Sequence, residues 1–470
     1  MTVEPPVHAL DLDEIAKVIG RADAVSSAPA VIEAHSHDWW PMTATWRSQG
    51  KAPYCPEAVV SVRSEEEVSA VLSWAHRSGV AVTPWGLGSS VVGGPLATRG
   101  GICLDLRQMS QIVKIDTEDL QVTVEAGMNG GVLEDRLMSD GWTLNHSPQS
   151  LHRSSVGGWL ATRATGQFSS RYGGIEELCA SFRAVLSDGT RIAIGHPPRM
   201  AVGPDLRQVL IGSEGCLGVI TQVTLRMFPK SQARELQTLT FPDVAAGIAA
   251  MRAIMMSGIR PFLLRFYDLA EARHAMQDPA FQSPVMFLGT EGSRARAALE
   301  MEELESACAA HGGKTIGRAG AVAWMERRFD FSTIEKVLAT PGGVAETIEV
   351  ANTWSGIGAT YEALIHAMMP HATDVLGHFS HAYSDGASLY VILLGQEENA
   401  AAAEERMKRI WEDAMRATLS TGGVISHHHG TGLARSAYVR EALGEAWPLY
   451  DRLKTALDPG HIMNPGKLGH

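Results

Sequence analysis

Three consecutive histidines, His427-His-His429, stand in the stretch Gly422-Gly-Val-Ile-Ser-His-His-His-Gly430. Neutral imidazole lies near its pKa at working pH, so the cluster suits proton transfer and hydrogen bonding. Successive side chains point in different directions on a helix or a strand, which argues against one ion held by all three. No metal site is assigned. A second stretch with chemical capacity is Thr83-Pro-Trp-Gly-Leu-Gly-Ser-Ser-Val-Val-Gly-Gly-Pro95, four glycines and two serines between the apolar runs Val80-Ala-Val82 and Ile102-Cys-Leu-Asp-Leu106. Glycine allows successive backbone N–H groups to turn inward as an anion nest, here a pyrophosphate cradle. An ordinary glycine-rich turn is the alternative. A Rossmann fingerprint needs G-x-G-x-x-G running into a helix, whereas Gly86 and Gly88 are followed by Gly93 and Pro95 in a loop from strand to strand.

Two further glycine-rich segments sit beside strands. Ser154 or Ser155 can cap a helix whose first turn holds Gly157 and Gly158. Glycine is costly there unless a ligand approaches closely or the helix packs tightly on a sheet. Ile211-Gly-Ser-Glu-Gly-Cys-Leu-Gly-Val-Ile-Thr221 leads into a strand that runs to Met227. A large, extended, phosphate-bearing cofactor is the common explanation of all three segments.

The elements that must position these groups read as follows. A short helix spans about 11–20, and His35-Ser-His-Asp-Trp-Trp40 is a loop whose tryptophans are expected in the core. Strand Ala58–Val62 and the helix opened by Ser64-Glu-Glu-Glu-Val68 form a βαβ unit that ends in the glycine loop. Strands at 112–115 and 121–125, a helix over 131–140 and a hairpin turning at Ser187-Asp-Gly189 complete an α+β region. At about Pro229 the texture changes: helices at 243–257, 294–311 and 400–417 alternate with strands at 262–266 and 388–394. The expected division is an N-terminal segment 1–52, a cofactor domain 53–230, a substrate domain 231–415 and a C-terminal segment 416–470.

Two domains fit 470 residues. The net charge of −12 argues against nucleic acid or an anionic membrane as main partner. No apolar run of roughly eighteen residues and no basic-then-apolar leader occurs, so neither a membrane span nor a secretory signal is expected. Cys55, Cys103, Cys179, Cys216 and Cys308 lack C-x-x-C spacing and read as reduced thiols of a cytoplasmic protein.

Taken together, and in this order along the chain, these segments resemble flavoproteins of the vanillyl-alcohol oxidase and p-cresol methylhydroxylase type, nearest to the alkyldihydroxyacetonephosphate synthase-like subgroup. The resemblance runs from about Pro56 to the C-terminus. It implies a two-part FAD-binding domain with a separate αβ cap domain built on an antiparallel sheet. By the resemblance Pro84, Trp85, Gly86, Leu87, Gly88, Ser89 and Ser90 wrap the FAD pyrophosphate. Gln149, Ser150, Ser154 and Ser155, then Thr162 and Thr165, then Glu214, Gly218, Val219 and Ile220 match the other FAD-contacting stretches. The pyrophosphate loop holds neither His nor Cys, so the flavin is expected without a covalent bond. His427, His428 and His429 match the subgroup's histidine triplet, Tyr390 its catalytic tyrosine, and Arg265 an arginine near the active site. A tyrosine has an ordinary pKa of ~10. Proton acceptance by Tyr390 at neutral pH needs positive or donor neighbours, which the histidines and Arg265 supply.

Two departures from the pattern bear on substrate. Where the synthase has a phosphate-holding arginine, upstream of the stretch comparable to Glu349-Val-Ala-Asn-Thr-Trp354, this chain reads Ile334-Glu-Lys336. Glu335 would repel a phosphate dianion, unless Lys336 or a shifted register compensates. The metal-associated motifs of the related glycolate and D-lactate dehydrogenases are also incomplete at His381–Tyr390 and His428-His-Gly430. The leading expectation is an FAD-dependent oxidoreductase that moves a hydride from a hydroxyl-bearing carbon of a small alcohol or hydroxy acid to the flavin, with Tyr390 and the histidines taking the hydroxyl proton. A redox-neutral synthase-like transferase and a flavin-binding electron carrier are the alternatives. The expected partners are a small-molecule substrate, an electron acceptor (oxygen, a quinone or a protein) and a second copy in a homodimer.

Overall fold

The computed structural model describes residues 10–470. Val25–Ser26, Ala58–Ser61, Ile102–Asp105 and Val82–Trp85 lie in that spatial order in a four-stranded sheet, the last three parallel. Helix Glu65–Ser78 makes the crossover, capped by Ser64, whose side chain accepts from the Glu67 N–H. Val82–Trp85 and Ile102–Asp105 are parallel neighbours joined by the glycine loop with no helix between them. The next sheet is antiparallel, in the order Ile112–Asp116, Gln121–Glu125, Val219–Arg226, Cys179–Val185 and Arg191–Ile194. Val122, Val124, Phe182 and Val223 bury its inner face against helix Val156–Thr162.

The largest sheet has seven antiparallel strands: Lys314–Thr315, Ala233–Thr240, Val285–Gly292, Leu263–Tyr267, Asp374–Ser380, Gly386–Gln396 and Gly343–Thr353. Alternation divides its two faces. Leu264, Phe266, Ile348, Phe379, Leu389 and Val391 pack outward against helices Val244–Met256, Arg294–Ala309, Ile357–Met368 and Ala400–Ser420. The other face carries chemistry. Tyr267 pairs with His378, His378 with Tyr390 and Tyr390 with Glu349, so one row across four strands holds four polar side chains. Arg265 lies two residues along the same face.

After Ser420 the chain returns across both regions. Val424 exchanges backbone hydrogen bonds with Ala351 at the edge of the seven-stranded sheet. Met463 bridges to Val82 in the parallel sheet. Between them, the histidine loop sits where the polar face meets the glycine loop. Among the described residues no helix is long and apolar enough to cross a membrane.

Candidate active site

A cavity of about 560 Å³ lies between the glycine segments and the polar face of the seven-stranded sheet, within the usual range for small-molecule sites. Pro84, Trp85, Gly86, Leu87, Gly88, Ser89, Ser90, Gln149, Ser150, Ser154, Ser155, Gly158, Thr162, Thr165, Glu214, Gly218, Val219 and Ile220 all line it. The backbone N–H groups of Leu87, Gly88, Ser89, Ser90 and Val91 find no acceptor among the described residues. Five successive free donors on one loop are what a diphosphate requires. Gly88 has φ +65° and sits against the Trp85 ring, 2.5 Å from where a Cβ would stand. At Gly86 a Cβ would meet Ser155 Oγ at 2.2 Å. Gly86→Ala is therefore expected to yield protein with depleted flavin, read as the visible-to-ultraviolet absorbance ratio, since overpacking costs about 1–3 kcal/mol.

The glycines of the capped helix separate in role. A Cβ on Gly157 would strike Ala126, so this glycine serves helix–sheet packing. Gly158 meets only Ser155 Oγ, at 3.1 Å. Glu214 lines the cavity, but its carboxylate accepts from Thr431 N–H and Oγ1 and from Gly432 N–H. It ties the C-terminal loop to the third glycine segment.

At the other end Tyr390, Arg265, His428 and His429 line the same cavity. The Tyr390 ring stacks on His378 with centroids 5.0 Å apart and meets His429 edge-on at 5.5 Å. Arg265 donates to His378 Nε2 at 2.5 Å, which leaves the imidazole proton on Nδ1, 2.8 Å from Glu271. Tyr267 Oη accepts from Arg265 Nε and from the Trp324 indole, fixing the guanidinium in the plane it needs. His378, Glu271 and Trp324 were not expected at the site. Burial, and after it the Arg265 charge, holds His378 well below the usual histidine range. Burial likewise keeps His428 and His429 uncharged. It pushes the Tyr390 hydroxyl up to about 12. Tyr390 thus keeps its proton and the imidazoles around it are free bases, the reverse of a tyrosinate stabilised by cationic histidines.

The histidine loop is built on Glu349. This fully buried carboxylate accepts from the backbone N–H groups of His427, His428 and His429 and from Ser426 Oγ. Arg435, equally buried, pairs with it at 3.2 Å. Burial alone would raise Glu349, but Arg435 and the loop outweigh it and hold the carboxyl below its usual range. His427 is set back from the cavity: its Nε2 meets Tyr383 Oη at 2.9 Å and its Nδ1 meets His428 Nδ1 at 2.8 Å. His381, also unexpected, faces His427 and His428 and is held by Ser169 Oγ. Ligand atoms of Glu349, His427 and His428 lie within 4.8 Å of one another. The carboxylate already has five partners, so the loop and not an ion satisfies it.

Known proteins share this architecture. Residues 56–195 match the FAD binding domain model, and residues 230–468 match the model for the C-terminal domain of FAD linked oxidases. The chain belongs to the FAD-linked oxidase family. It is an FAD-dependent oxidoreductase, and FAD is its cofactor. An uncharacterized FAD-linked oxidoreductase of Escherichia coli is 33% identical over 98% of both chains. A probable mitochondrial D-lactate dehydrogenase of Danio rerio is 28% identical over 88% of this chain and 84% of its own. The solved structure of an alkyldihydroxyacetonephosphate synthase superposes with a TM-score of 0.81 at 23% identity, over 99% of this chain and 86% of that one.

In this FAD-linked oxidase the remaining wall of the cavity is of two kinds. Leu338, Leu376, Ile392 and Leu394 make one side apolar. Arg265, Arg327 and Arg328 stand on the lining, and none has a carboxylate within 4.0 Å among the described residues. Glu335 does not face the cavity as a free anion. It pairs with Arg153 at 3.0 Å, and the Arg153 guanidinium lies over the rings of Trp39 and Phe331.

Two buried carboxyls make the stability of the oxidase depend on pH. Burial pushes Glu271 and Glu346 up to about 8, against about 4.3 for a free glutamate. A raised folded value means that folding favours the neutral form. The stabilisation is complete below about pH 4 and is lost as pH rises towards 8. The urea midpoint is expected to fall over that interval, and Glu271→Gln or Glu346→Gln to flatten the fall.

Proposed function

We propose that this FAD-linked oxidase oxidises a hydroxyl-bearing carbon of a small anionic substrate, a hydroxy acid, to a carbonyl. The observation that carries the reading is the cavity end itself: Tyr390, the uncharged His428 and His429, and the Arg265 guanidinium, which has no carboxylate partner, come together through His378, and Arg327 and Arg328 add two more such guanidiniums to the cavity lining. A buried or half-buried cation without a counter-charge favours an anionic ligand. Arg265 is the anchor, because Tyr267, Trp324 and His378 hold its guanidinium in place before any ligand arrives. The apolar side formed by Leu376, Ile392 and Leu394 takes the rest of the substrate. The likeness to a D-lactate dehydrogenase supports a hydroxy acid.

When bound, FAD supplies the acceptor for the hydride that leaves the hydroxyl-bearing carbon. The chain handles the proton. Tyr390, protonated, donates a hydrogen bond that orients the substrate oxygen. His428 Nε2 has no partner among the described residues and accepts the hydroxyl proton. Its Nδ1 proton can then move to His427 Nδ1, and the resulting imidazolium keeps its Nε2–H donated to Tyr383 Oη, so the charge is spread inward along a preformed hydrogen-bonded pair and stops at His427. Glu349 offsets the charge that develops on the loop. No step needs a metal, and activity is expected to survive dialysis against a chelator.

The test is anaerobic mixing of the holoprotein with a panel of 2- and 3-hydroxy acids and the matching uncharged alcohols. Bleaching of the flavin by hydroxy acids, and weakly or not at all by the alcohols, is the expected result. An ether product from acyl-dihydroxyacetonephosphate and a fatty alcohol, formed with no oxidant consumed, would replace this reading by the transferase one. The same samples, denatured and filtered, are expected to release all their flavin, as non-covalent binding requires.

A further inference from the structure

The segment His35-Ser-His-Asp-Trp-Trp40 lies outside both family matches, yet it closes the back of the glycine loop. Asp38 is 8% exposed. Its Oδ2 accepts from the Gly93 N–H at 2.9 Å and its Oδ1 from the Trp40 N–H at 3.0 Å. The Trp39 N–H donates to the Ser90 carbonyl at 2.8 Å. The Trp40 ring fills the place a Cβ on Gly93 would take, 2.9 Å away. Leu433 and Ala434 hold Val92, both donating to its carbonyl. Ser90 Oγ accepts from Val92 and Gly94. The end of the loop is thus held by bonds to the protein itself, and the donors left over, Leu87 to Val91, belong to residues that line the cavity.

A loop with four glycines loses much conformational freedom when it orders. If the phosphates alone had to order it, that loss would come out of cofactor affinity. We propose that Asp38 is a positioning residue for the diphosphate half of FAD, fixing the glycine loop through Gly93 and Trp40 so that its free N–H groups are set before the cofactor binds. Asp38 touches the loop and is not among the residues that line the cavity. Its loss should weaken ligands that carry the diphosphate and leave those that lack it nearly untouched.

Full-length protein stripped of flavin, wild type, Asp38→Ala and Asp38→Asn, would be titrated with FAD and separately with riboflavin, which has no diphosphate, and its melting temperature recorded. The expected result is a Kd for FAD raised about tenfold or more in Asp38→Ala and less in Asp38→Asn, with the riboflavin Kd changed less than about twofold. Should Asp38→Ala fail to fold, the same FAD-selective weakening in Asp38→Asn carries the proposal. Unchanged FAD affinity overturns it. Equal weakening of both flavins together with a lower melting temperature assigns Asp38 to general stability and overturns it as well.

Discussion

Tyr390→Phe is expected to slow anaerobic flavin reduction by about 10²-fold, the size of effect seen when one hydrogen-bond donor at a reacting oxygen is removed, with flavin content and melting temperature unchanged. The reason is local. The Tyr390 ring is held by stacking on His378 and by the edge of His429, contacts that Phe preserves. Only the hydroxyl is removed, and burial keeps that hydroxyl protonated across the working pH range. The loss should therefore appear in the maximal reduction rate and not in substrate affinity, which belongs to Arg265. Arg265→Leu should show the complementary pattern, a raised substrate Kd.

The second large effect is one of stability. Glu349→Ala leaves the Arg435 guanidinium fully buried with no counter-charge and removes the acceptor of three backbone N–H groups. Removing one partner of a buried pair costs about 3–5 kcal/mol. Urea denaturation is expected to show a loss of that size, with Glu349→Gln, which keeps shape and two hydrogen-bonding atoms, falling between. Residual Glu349→Ala protein should bind FAD but reduce it slowly, because His428 and His429 lose the anchor that sets their rings. A loss below about 1 kcal/mol would show that the loop is held elsewhere.

Residues differ in how far their roles could be read from local sequence. The glycine loop was legible because its demand is local: a positive φ at Gly88 and the absence of a side chain at Gly86 are properties of the residues themselves. Strands Leu263–Tyr267 and Gly386–Gln396 were legible from their short, nearly continuous apolar runs. His378 was not. It lies in Asp374–Ser380, a strand buried on both faces with no clean alternation, and only the register against Tyr267 and Tyr390 brings it to the site. The spacing His378-x-x-His381 just upstream of Tyr390 was the available signal. Glu349 sat in a stretch read for its likeness to the synthase, while its hydrogen bonds reach 78 to 80 residues along the chain. Asp38 and Arg435 depend on contacts that no local pattern announces. Glu335 shows a related limit: its charge was read alone, and its partner Arg153, 182 residues away, lay beyond any local pattern.

In the proposed reaction a hydroxyl-bearing anion gives up a hydride in this cavity while the histidine loop takes its proton. The most direct measurement compares anaerobic reduction of the bound flavin by an active hydroxy acid with reduction by the same acid deuterated at the hydroxyl-bearing carbon. A primary isotope effect on the bleaching rate, lost from substrate affinity and retained in Tyr390→Phe, is the predicted result. No bleaching by any hydroxy acid or alcohol, in protein that carries its full complement of FAD, would contradict it.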